Sequence, residues 1–113
     1  MKSFNFFWGA LLVLPLITSC NKENQRPLTE LEKQGKASYM SNCIACHNPD
    51  PRLAGSIGPD VANSSLELLT ARIKHKSYPP GYKPKRETAI MPDLSILEKD
   101  IPAIHAYLNS FSK

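Results

Sequence analysis

The sequence predicts an all-α domain of about three helices packed around a common centre, and three observations carry that expectation. Apolar residues recur at three- and four-residue steps in three separate segments, while no strand-like alternation appears in the 113 residues. The stretches between those segments are irregular and rich in Pro and Gly, which interrupt regular structure. The first segment runs directly into Cys43-Ile44-Ala45-Cys46-His47, the spacing at which c-type haem is attached.

The chemistry explains that spacing. Each thiol adds across one of two vinyl groups on neighbouring edges of the ring, and one helical turn separates Cys43 from Cys46. The residue that follows, His47, then stands over the ring plane as an iron ligand. Other uses of a Cys-x-x-Cys pair fit less well. A redox dithiol expects a βαβ context that is missing around this pair. A zinc site needs four ligands, and the chain has no second Cys pair.

The N-terminal segment reads as a targeting signal. The apolar run from Phe6 to Ile17 is short for a membrane span and suits the core of a secretory signal. It ends in Ile17-Thr18-Ser19-Cys20, which resembles the bacterial lipoprotein signal. That resemblance implies removal of residues 1–19, lipid attachment at Cys20, and residence at the periplasmic face of a bacterial membrane. It also accounts for the third cysteine, and several acyl chains make a stable anchor. Residues 20–28 then read as a polar tether and residues 29–113 as the domain. A domain that small has a marginal core without a staple, which a covalent haem would supply.

Thr29-Glu30-Leu31-Glu32 is a capping box and predicts a helix from about Glu30 to Asn42, with Leu31, Gly35, Tyr39 and Met40 on its apolar stripe. Gly35 is costly inside a helix unless another element approaches closely. After the motif, Asn48-Pro49-Asp50-Pro51 and residues 52–63 read as loop. Within that loop, the Pro59 carbonyl is a candidate acceptor for the other nitrogen of His47. Ser64-Ser65-Leu66-Glu67 reads as a second capping box before a helix from about Ser65 to Lys74, with Leu66, Leu69 and Ile73 inward and Leu68 beside them. Residues 76–89 hold three prolines and a glycine and read as loop. A last helix is expected from Asp100 to about Phe111, with Ile101, Ile104, Leu108 and Phe111 on one stripe and Tyr107 beside it. Pro102 suits its first turn and argues against a start at Ser95.

Met40, His75, Met91 and His105 are candidates for the sixth iron position, which is otherwise open. Met40 reads as core, His75 as a helix-end cation, and His105 as solvent-facing. Met91, between Ile90 and Pro92 in an irregular loop, is the preferred ligand.

Taken together, the chain from about Leu28 resembles a small class I cytochrome c. Gly35, Tyr39, Cys43, Cys46, His47, Gly58-Pro59, Ile90-Met91-Pro92 and the helix through Ala106-Tyr107-Leu108 fall in the family's order. The resemblance implies one haem c, thioether bonds from Cys43 and Cys46, iron ligation by His47 and Met91, and Pro59 orienting His47. It also implies that the last helix crosses the first at Gly35. Pro102 and the basic, proline-rich loop before Met91 depart from the family pattern. The expected function is single-electron transfer by a carrier rather than an enzyme. An open-site sensor or peroxidase-like protein is the alternative if Met91 does not bind iron, and a haem-free thiol–disulfide protein is a third reading.

Arg72, Lys74, Lys76, Lys83, Lys85 and Arg86 fall within fifteen residues that contain no acid. They read as a docking rim for an acidic redox partner, as a solvated loop or partial neutralisation of haem propionates, or as a contact with anionic lipid. Tyr78 and Tyr82 are candidate hydrogen-bond donors to a haem propionate. Nucleic acid and small-molecule substrates are not expected partners of an exported electron carrier.

Overall fold

A computed structural model gives the architecture of the chain. The structure describes residues 26–87 and 90–112, so the signal-like segment and Cys20 lie outside the described residues. Helix α1 spans Glu30–Asn42, α2 Leu66–His75 and α3 Ile101–Asn109, with a 3-10 turn over Ser95–Asp100 leading into α3. There is no strand among the described residues.

Helix α1 begins where its capping chemistry says it should. The Thr29 hydroxyl accepts from the Glu32 amide at 3.3 Å, and the Glu32 carboxylate accepts from the Thr29 amide at 2.7 Å. Arg26 adds a two-pronged contact to the same carboxylate at 2.8 and 2.5 Å. These bonds, the Arg26 guanidinium first, hold the buried Glu32 carboxyl down at about 2. The far end of the expected tether is therefore folded onto the domain, since Leu28 also packs against the core.

Helix α3 crosses α1 at Gly35. A methyl group there would sit 1.9 Å from the Ala103 carbonyl oxygen and 2.9 Å from the Tyr107 Cβ. Only a residue without a side chain permits this approach. Ser38 donates to the Asp100 carboxylate at 3.0 Å beside the crossing. Tyr39 and Tyr107 pack with ring centroids 5.7 Å apart, and Phe111 meets Tyr107 edge-on at 5.3 Å.

Helix α2 completes the core with Leu69 and Ile73, which join Tyr39, Ile101, Ile104, Tyr107 and Leu108. Each such side chain contributes roughly 1.5–3 kcal/mol when fully buried. The loop before α2 is tied to α3, because Asn63 donates its amide to the Leu108 carbonyl and Asn109 donates to the Ser64 carbonyl, both at 2.9 Å.

Several sequence expectations need correction. Leu31, Met40 and Leu66 are exposed, and the inward face of α1 is Glu32, Gly35 and Tyr39. The stripe is narrow because α3 sits directly on Gly35, leaving Leu31 and Met40 at its margins. The second capping box does not form: Ser65, not Ser64, is the cap and accepts from the Leu68 amide at 3.1 Å, so Glu67 falls one position short of reciprocating. Residues 95–100 do turn, as a 3-10 segment, and α3 starts only at Ile101 with Pro102 in its first turn. It stops at Asn109 rather than Phe111. His105 is half-buried rather than solvent-facing.

Candidate haem site

The three helices leave a cavity of about 470 Å³ between them, within the range of cofactor sites. Buried core residues form part of its wall: Tyr39, Leu69, Ile73, Ile104 and Leu108. The core is thus open on one side, and a flat apolar group would complete it.

Cys43, Cys46 and His47 line this cavity. The chain leaves α1 through one more tight turn, in which the amides of Cys46 and His47 both reach the Cys43 carbonyl, at 3.2 and 2.9 Å. The Tyr39 hydroxyl donates to the Asn48 carbonyl at 2.6 Å and closes the stretch that holds the motif. Burial, with the neighbouring Cys46 adding to it, pushes the Cys43 thiol up to about 11.

His47 is oriented from behind. Its Nδ1 lies 2.8 Å from the Pro59 carbonyl oxygen. A carbonyl only accepts, so Nδ1 carries the proton and Nε2 keeps its lone pair for a metal. Gly58, not singled out from the sequence for this role, presses flat against the same ring: a methyl group there would meet His47 Cε1 at 2.4 Å. The Gly58 and Ile57 amides fold back on the Cys46 carbonyl, at 2.8 and 3.3 Å, which fixes this loop to the motif.

Of the four candidates for the sixth position, Met91 lines the cavity, whereas Met40, His75 and His105 are not among its lining residues. Met91 is half-buried and packs against the core cluster with Leu94 and Leu97. Tyr78 and Tyr82 also line the cavity, with their rings stacked at 5.4 Å and the Arg72 guanidinium 4.2 Å above Tyr78.

The basic residues are less free than their clustering suggests. Lys74 pairs with Glu98. Lys85 donates to the Asp60 carboxylate at 2.6 Å, and Arg86 donates to the Ile57 carbonyl at 2.8 Å. Arg72 donates to the Ser77 carbonyl at 3.4 Å. Lys76 and Lys83 are exposed. The contacts of Lys85 and Arg86 had no signal in the sequence, since the partners are 25 and 29 residues away in another loop.

The donor set fits a covalent haem: two thiols and a metal-ready imidazole from one short motif, a thioether from another segment, and an apolar floor between them. Neither the curated proteins nor the solved structures compared with the chain gave a match. The family model for cytochrome c matches residues 32–112, nearly all of the described domain. The chain belongs to the cytochrome c family, as a class I monohaem, electron-transferring protein that binds haem c covalently.

Proposed function

We propose that this cytochrome is a His/Met-ligated electron carrier, anchored outside the cytoplasm, that passes single electrons between redox proteins. The observation that carries the ligand assignment is that His47 and Met91 line one cavity while the competing methionine and histidines do not. Cys43 and Cys46 would hold the haem by thioether bonds. His47 Nε2 would take one face of the iron and the Met91 sulfur the other. When bound, the group supplies a one-electron iron couple, whose potential a thioether ligand and burial both raise.

The rest of the site serves that exchange by holding still. The Pro59 carbonyl and Gly58 fix the His47 ring, and the helices supply an apolar wall to the cavity. With His47 and Met91 both holding the iron, no place would be left for a substrate. Arg72, Tyr78 and Tyr82 stand together on the lining and are suited to hold a propionate. Lys76 and Lys83, exposed and outside the cavity lining, are the cations best placed to meet an acidic partner.

The ferric absorption spectrum tests the ligand assignment. A methionine-to-iron charge-transfer band, lost in Met91→Ala, supports it. Absence of that band in the wild type, with rapid carbon monoxide binding to the ferrous form, would favour the open-site reading. The anchor is tested by fatty-acid labelling of cells expressing the full chain, where Cys20→Ser should abolish incorporation.

A further inference from the structure

The loop that carries Met91 is long and, among its described residues, has no regular structure between α2 and the 3-10 turn. Irregular segments of this length need anchors of their own. Its first half has them: Tyr78 and Tyr82 stack, Arg72 caps Tyr78, and the Tyr82 amide reaches the Pro79 carbonyl at 3.0 Å. Closer to Met91, the tie points are Lys85 and Arg86. Lys85 Nζ reaches both the carboxylate and the carbonyl of Asp60, at 2.6 and 3.1 Å. Arg86 reaches the Ile57 carbonyl at 2.8 Å. Their partners, Ile57 and Asp60, bracket Gly58 and Pro59, the two residues that hold the His47 ring. All six residues from the two loops line the cavity.

We propose that Lys85 and Arg86, bonded to Asp60 and Ile57, form a latch that fastens the Met91 loop to the loop orienting His47, so that one clasp positions both axial ligands. The inference rests on the ligand assignment to Met91. It also changes the reading of these two cations, which act here as positioning residues rather than as a docking rim. Single exposed ion pairs hold weakly. Here two charged donors make three bonds to neighbouring points on one short loop, and bonds to charged groups are the stronger kind. A loosened loop lifts the thioether from the iron for a larger fraction of the time. An external ligand then binds more tightly in proportion to that fraction.

Imidazole is the probe, titrated into the ferric holoprotein of the full chain. Lys85→Gln, Asp60→Asn and Arg86→Gln should each tighten its apparent affinity by about threefold to tenfold. Lys85→Gln combined with Asp60→Asn should do little more than Lys85→Gln alone, because that change already removes both bonds to Asp60. Lys33→Gln, which breaks a 2.7 Å ion pair with Glu30 on α1, should leave the affinity unchanged. Thermal melting of the helices should move no more in the latch variants than in Lys33→Gln, which separates a positioning effect from general destabilisation. Latch variants that bind imidazole as the wild type does would overturn the proposal, and so would a change confined to the salt dependence of electron exchange. If the wild type itself lacks the methionine band, the ligand assignment has failed instead, and the two failures are told apart before any variant is made.

Discussion

The α1–α3 crossing and the loop that delivers Met91 position the two proposed iron ligands, His47 and Met91, by opposite means. The crossing is a packed seam in which Gly35 lets two helix backbones meet and buried Tyr39, Tyr107 and Leu108 close around it. It fixes the Cys43–His47 motif rigidly, because the motif is a continuation of α1. The Met91 loop has few buried side chains of its own. It is held by ring stacking and charged hydrogen bonds to distant carbonyl and carboxylate groups. One proposed ligand is thus set by dense packing, which is all-or-none, and the other by a few polar ties, which can be loosened one at a time.

Substitutions in the seam should therefore move stability, and substitutions in the loop should move ligation. The largest effect is expected at Gly35. Gly35→Ala drives a methyl group into the Ala103 backbone and should cost about 3 kcal/mol or more in a denaturant titration, and Gly35→Val should prevent folding. Tyr39→Phe removes the hydroxyl that closes the motif onto the Asn48 carbonyl and should cost about 1–2 kcal/mol in the same measurement, while the ferric spectrum keeps its methionine band.

Acid should act on the seam through Glu32. Its carboxyl is held near 2, below the ordinary value of 4.5, so its contribution is complete above about 4.5 and fades as pH falls toward 2. Asp50, lowered first by its Arg52 partner, adds to the loss in the same direction. Glu32→Gln should flatten the decline of melting temperature through that window, and Asp50→Asn should flatten it less. The smallest change is expected at Lys76, which ends α2 in the left-handed region at φ 51°. Lys76→Gly relieves that conformation and should raise stability by about 0.5–1 kcal/mol with the spectrum unaltered. A seam substitution that abolished the methionine band without lowering stability would break the division between the two regions.

The same division explains what could be read from the sequence. Helices α1, α2 and α3 follow from three- and four-residue periodicity and from local caps, so their positions were legible to within a residue or two at most ends. The Thr29–Glu32 box carried its structural meaning in plain view, whereas Gly35 took its close-approach role from the family pattern. The Pro59 carbonyl was identifiable as the partner of His47 only because its place in the family pattern supplied what an isolated loop proline does not. The latch was not legible. Nothing in the order of residues links Lys85 to Asp60 or Arg86 to Ile57, since neither loop has a period that reports on the other. Clustering of like charge reports on charge alone, and not on which of these cations bond to a neighbouring loop. Leu31 and Leu66 misled for the related reason that a period marks a face but not how much of it a neighbour covers.

The central claim is that the polar-tied loop places Met91 on iron opposite His47. The ferric absorption spectrum of the holoprotein, recorded for the wild type and for Met91→Ala with imidazole added to each, addresses it directly. The account predicts a methionine charge-transfer band in the wild type that is absent in the variant, together with much tighter imidazole binding by the variant. A wild-type spectrum without the band, or imidazole affinities that do not differ, would contradict it.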